Sequence, residues 1–160
     1  MKSFQQFEDF QRRKYACVNV SAISTSMLRE WCRLNDFDTT MSHKGNPQRA
    51  TEFDFHVTLF YTDSYHDTKT GIWRIEPFDL IPIGFEMLGE DQNIPVLLLD
   101  PEESQLVYYR KHFEGMGFTD KWPVFKPHIS LSYSKSVSSV EPTLPTFNIT
   151  ANKLKVSNIS

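Results

Sequence analysis

The sequence predicts an α+β fold: a single domain over residues 1–160 made of two pseudo-symmetric β-α-β-β lobes, approximately 14–88 and 94–159, with a central cleft between antiparallel sheets. Three observations predict it. A six-residue pattern occurs twice, as Phe55-His56-Val57-Thr58-Leu59-Phe60 and Pro127-His128-Ile129-Ser130-Leu131-Ser132, each reading apolar, His, β-branched, hydroxyl, Leu. The elements around the two copies follow one order: strand, helix, His strand, strand. The third is size: 160 residues, 39% of them apolar, are enough for one domain with a real core and too hydrophobic for disorder.

In order along the chain, Phe4, Phe7 and Phe10 fall at a three-residue spacing that suits a short helix over 3–13. Residues 14–20 read as the first strand. Ser24, Thr25 and Ser26 offer N-caps for a helix to about Asn35, with Met27, Leu28, Trp31, Cys32 and Leu34 as its apolar side. Residues 36–52 are polar and contain Gly45 and Pro47, so they read as a long loop, either a flap over the site or a plain surface loop. Residues 54–62 carry the first motif. Residues 72–88 are rich in β-formers and read as strands broken at Pro77 and Pro82. Residues 94–99 are a compact apolar strand. Asp100 as cap, Pro101 at the first helical position and Glu103 three residues after the cap predict a helix over 101–116 that Gly117 ends. Residues 127–133 carry the second motif, a turn spans 134–145, and 147–159 form the last strand or strand pair.

Side chains alternate between the faces of a strand. His56 and Thr58 therefore share one face, and His128 and Ser130 another, while Val57, Leu59, Ile129 and Leu131 point to the core. Side by side, the two strands present two imidazoles and two hydroxyls to one cleft. Imidazole has an ordinary pKa of about 6.5, closest of the side chains to cellular pH. One ring can take a proton while the other gives one, and the hydroxyls can donate to phosphate oxygens. A lone His-x-Thr is more often a structural histidine; two copies in matching places favour the functional reading. His43, His66 and His112 lack the motif and read as surface residues.

Composition narrows the partners. Seventeen basic residues against 20 acidic ones give a net charge of −3, which disfavours a long nucleic acid; if the substrate carries phosphate, a small molecule with one or two phosphates is expected. No apolar run is long enough for a membrane helix, and the N-terminus is too polar for a secretory signal, so no membrane and a cytoplasmic location are expected. Cys17 and Cys32 make no disulfide framework and read as buried thiols. No metal-ligand cluster stands out, no cofactor is expected, and no obligate protein partner is implied.

The two His-x-Thr/Ser motifs on strands of a duplicated α+β order resemble the 2H phosphoesterase superfamily. Lys126-Pro127-His128-Ile129-Ser130-Leu131 is similar to its usual Pro-His-hydrophobic-Thr-Leu, with Ser130 where Thr is commoner. The strand Tyr15-Ala16-Cys17-Val18-Asn19, the chain length and the long loop before the first motif look most like the phage anti-CBASS nuclease branch. That resemblance implies a metal-independent phosphodiesterase that cleaves cyclic di- or trinucleotide messengers of a bacterial immune system. His56, Thr58, His128 and Ser130 would be catalytic and the substrate's ribose 2′-hydroxyl the nucleophile. The location would then be the host bacterial cytoplasm.

Tyr15 and Lys126 are the candidate substrate-binding residues. Tyr15 lies on a cleft strand and would stack on a base; the plain alternative is a half-buried strand tyrosine. Lys126 is two residues before His128 and would reach phosphate; the alternative is a solvated lysine. Trp31 and Trp73 read as core, and Trp122 as core or a base platform. Two other functions stay open: an RNA-end 2′,3′-cyclic phosphodiesterase, and a sponge that binds cyclic nucleotides without cutting them.

Overall fold

The structure, a computed structural model, describes residues 13–43, 46–52, 54–65, 67–89, 94–122, 124–133 and 142–159. The helix expected over 3–13 falls almost wholly outside these residues, as does most of the turn over 134–145. The fold is α+β. A four-stranded antiparallel sheet has the order β4-β1-β9-β5 and a three-stranded antiparallel sheet the order β6-β7-β8. The strands are β1 (Arg13–Val20), β4 (His56–Tyr65), β5 (Gly71–Leu80) and β9 (Ile149–Asn158) in the first sheet, and β6 (Pro82–Leu88), β7 (Ile94–Leu99) and β8 (His128–Ser130) in the second. Among the described residues there are two helices, α1 (Ala22–Leu34) and α2 (Ser104–Gly115). None of the helices is long and apolar enough to cross a membrane among the described residues.

Strand pairing crosses the boundary between the two halves of the sequence. β9, from the second half, pairs with β1 and β5, while β6, from the first half, pairs with β7. Each sheet thus has a motif strand at its edge, its half's first strand beside it, and the other half's last strand third: β4-β1-β9 and β8-β7-β6. The core follows the strand alternation. Ala16, Val18, Val57, Leu59, Leu97, Leu99, Ile129 and Leu131 are buried, joined by Leu106 and Phe113 from α2 and Leu28 from α1.

Several elements differ from expectation for local reasons. The stretch expected as a loop over 36–52 holds a hairpin, β2 (Thr40–His43) paired with β3 (Asn46–Glu52). α1 starts earlier than Ser24 because Ser21 is the cap, its hydroxyl accepting from the Ser24 N–H at 3.3 Å. α2 starts later than Pro101. The Asp100 carboxylate closes a turn on the Glu102 N–H, and the Glu103 carboxylate takes the cap, accepting from the N–H groups of Gln105 and Leu106 at 2.9 Å each. Gly117 follows the helix with φ of 93°, a left-handed position that glycine fills without strain. β5 runs through Pro77, with a register shift between Arg74 and Phe78 that absorbs the missing donor. The second motif strand is only three residues long. Trp31 packs against the core, stacked on Phe85 and Phe37, whereas Trp73 is 43% exposed rather than buried.

Candidate active site

The site begins with two edge strands. β4 and β8 close their respective sheets, and they lie against each other where the sheets meet. His56 and Thr58 are half-buried on β4, while Val57 and Leu59 between and beyond them are fully buried. His128 and Ser130 are half-buried on β8 around the fully buried Ile129.

The two histidines are anchored alike. His56 Nδ1 lies 3.1 Å from the Asp54 carbonyl oxygen, and His128 Nδ1 lies 2.7 Å from the Lys126 carbonyl oxygen. A carbonyl only accepts, so in each neutral ring Nδ1 carries the hydrogen and Nε2 keeps its lone pair for chemistry. The preceding residues match as well. The Phe55 carbonyl accepts from the Val20 N–H and the Pro127 carbonyl from the Leu99 N–H, both at 3.0 Å. Each histidine therefore follows a residue pinned to the end of the adjacent central strand.

Burial, above all, holds His56 below its ordinary value. The Asp54 carbonyl bond opposes this, and the positive charge of Lys155 and the interaction with His128 add to it. That His128 acts on His56 places the two motif histidines within electrostatic reach across the seam. At the pH of a cell His56 is thus biased toward the neutral, proton-accepting form.

Tyr15 sits beside this pair. Its ring meets His56 edge-on at 5.9 Å and Tyr61 at 6.2 Å, and its phenol oxygen accepts from the Thr58 hydroxyl at 3.3 Å. Burial pushes the phenol well above its ordinary value, with Cys17 and Tyr133 adding to the rise, so it stays protonated. Cys17, between Tyr15 and Asn19 on the same face, is pushed up to about 11 by burial, opposed by Tyr15 and Lys155. Lys126 directs its ammonium to Glu86 on β6. What it gives His128 is its backbone carbonyl.

Sequence reasoning missed Lys155. In the ladders Thr58 pairs with Cys17, and Cys17 pairs with Lys155; paired residues share a face. The residues 153–156 show the alternation of Lys with Leu and Val that marks a two-faced strand, but nothing local says which strand lies next to it. Tyr61 was also hidden. The register shift between Ala16 and Cys17 leaves Leu59 unpaired and turns Tyr61 to the Tyr15 face, out of step with His56 and Thr58. Trp122, 54% exposed, lies against Tyr61 at 5.4 Å. Among the described residues no group of three or more His, Cys, Asp or Glu side chains is arranged to hold a metal ion.

Two comparisons bear on this geometry. A family model described as anti-CBASS protein Acb1 matches residues 12–153, most of the chain. No curated protein matches it.

Proposed function

The chain belongs to the anti-CBASS protein Acb1 family, and from that premise we propose that it counters CBASS immunity by cutting cyclic oligonucleotide signals, with two histidines as base and acid. The observation that carries the reading is the matched anchoring of His56 and His128, which reserves Nε2 of each ring. The reading extends the 2H phosphoesterase resemblance of the two motifs to the whole site.

His56, held neutral, is the base. Its Nε2 takes the proton of a ribose 2′-hydroxyl as that oxygen attacks the adjacent phosphorus. The bond from phosphorus to the 5′-oxygen breaks, and protonated His128 gives its proton to that leaving oxygen. The products are a 2′,3′-cyclic phosphate and a free 5′-hydroxyl. Water then opens the cyclic phosphate with the roles reversed. Thr58 and Ser130 donate to the non-bridging oxygens as their charge grows. Tyr15, kept protonated, holds the Thr58 hydroxyl beside His56 and turns its own O–H to Thr58 when Thr58 turns to phosphate. Base, acid and anion donors are all side chains, so this scheme uses no metal.

The test is a cleavage assay in excess EDTA, with a 3′,3′-linked cyclic dinucleotide and, separately, a short RNA ending in a 2′,3′-cyclic phosphate. Linearised dinucleotide is expected. His56→Ala and His128→Ala should each lower turnover by about a hundred- to ten-thousand-fold, the usual share of a positioned acid or base. Opening of the RNA end alone would move the substrate to RNA. Tight dinucleotide binding without product would leave a sponge.

A further inference from the structure

Beyond the histidines, the same sheet face carries cations. Arg74 on β5 pairs with Lys153 on β9, and Lys155, two residues on, pairs with Ile72. On their other side Lys153 meets Asn19 and Lys155 meets Cys17. Residues that pair across a ladder, or lie two apart along a strand, share a face. The rows are therefore His56–Asn19–Lys153–Arg74 and Thr58–Cys17–Lys155–Ile72.

None of the ladder partners of Lys153 and Lys155 is acidic. Glu76 lies in the register shift between Arg74 and Phe78 and has no ladder partner. Among the described residues none of the three cations forms an ion pair. Like charges directly opposite each other destabilise a sheet, and in a chain of net charge −3 this grouping is not forced by composition. An anion lying between them removes the repulsion. The charge of Lys155 acts on both His56 and Cys17, so the strip begins at the histidine and runs outward to Arg74. A phosphate at His56 lies three strand spacings, roughly 14 Å, from the backbone of Arg74, beyond that side chain's reach.

We infer that Lys155, Lys153 and Arg74 hold the phosphodiester of the ring that is not cut. This rests on the phosphodiesterase reading and adds to it the part of the substrate that is not cleaved.

The test compares two ligands that share the scissile chemistry. One is a 3′,3′-linked cyclic dinucleotide; the other is a linear dinucleoside monophosphate, which has a single phosphodiester. KM and kcat are measured for both, and a 2′-deoxy cyclic dinucleotide supplies a Kd by calorimetry. Arg74→Gln, at the cation farthest from His56, should weaken the cyclic ligand about tenfold, as loss of one charge-assisted hydrogen bond implies, and leave KM for the single-phosphate ligand within about twofold. Lys153→Gln should act in the same direction, and Arg74→Lys should restore most of the loss. Thermal melting confirms that each variant is folded. Equal weakening of both ligands, or of neither, overturns the proposal. Cleavage of the ring with a KM insensitive to Arg74 overturns the strip and leaves the phosphodiesterase reading standing. Arg74-sensitive binding with no cleavage overturns the phosphodiesterase reading and leaves the strip standing. A wild-type protein that binds neither ligand overturns both.

Discussion

At the scale of single residues, the division of labour proposed for His56 and His128 rests on where His56 sits, since the two anchors match. Burial above all, with the charge of Lys155 adding to it, favours neutral His56, so its pKa lies below the ordinary value of about 6.5. A base must be unprotonated to act. With His56 as the proposed base, activity should rise as pH increases through its pKa, and the acidic limb of kcat/KM should fall below pH 6.5. Lys155→Gln removes one of the charges that disfavour imidazolium, so it should move that limb to higher pH. A limb that stays put, or moves to lower pH, would remove His56 from the role of base. The neighbouring Cys17 gives a second check. Its thiol is pushed up to about 11 and that of Cys32 to about 12, both by burial, and reactivity needs the thiolate. Iodoacetamide at pH 8 should label neither cysteine in the folded protein and both after unfolding in guanidinium, read by mass. Rapid labelling of Cys17 in the native state would show that the sheet beneath the histidines opens.

At the scale of elements, the short polar ties decide where helices meet sheets. Ser24, buried on α1, donates its hydroxyl to the Asn148 carbonyl at 3.3 Å and accepts from the Thr150 N–H at 2.9 Å. That hydroxyl joins α1 to the start of β9, the strand that carries Lys153 and Lys155. Ser24→Ala leaves the Thr150 N–H without this partner and should cost about 1–3 kcal/mol, read as a lower urea midpoint at unchanged m. An unaltered midpoint would mean that water replaces the hydroxyl there. The elements also show what a sequence discloses. β7 is plain because an unbroken apolar run, residues 94–99, bounded by turn residues admits little else. The motif strands are plain because His56, Thr58, His128 and Ser130 alternate with buried residues. The hairpin of β2 and β3 is hidden because Thr40-Met41-Ser42-His43 has no apolar alternation. The helix starts shift because Ser21 and Glu103 are better placed caps than the residues next to them. Lys155 shows its face in the pattern, but strand order depends on pairing across more than a hundred residues, which periodicity does not encode.

At the scale of the whole molecule, the site exists only because two sheets meet along β4 and β8, and one arginine spans that seam. Arg110 on α2 donates from one guanidinium nitrogen to the Leu59 carbonyl at 2.7 Å and to the Asp120 carboxylate at 2.8 Å. Its guanidinium lies 4.0 Å from the ring centre of Phe60 and 4.4 Å from that of Phe125. Phe60 belongs to the His56 strand, and Phe125 belongs to the segment that leads into His128. The other Asp120 oxygen accepts from the N–H groups of Tyr61 and Trp122, at 3.4 Å each. With side chains only 14% and 13% exposed, Arg110 and Asp120 form a largely desolvated pair. Losing one member leaves the other's charge uncompensated, at a cost of about 3–5 kcal/mol. Arg110→Ala should reach that range. Arg110→Lys should recover only part of it, because an ammonium provides neither the flat stack between two rings nor two donors in a plane. The double variant with Asp120→Ala should cost less than the sum of the singles. The seam also makes a kinetic prediction. Measured well below its melting temperature, folded Arg110→Lys should lose kcat by about ten- to a hundredfold, the scale of an ångström's misplacement between reacting groups, although Arg110 touches neither histidine. If kcat stays at the wild-type value while stability falls, the clamp supports the fold alone, and the spacing of His56 and His128 is set by their own carbonyl anchors.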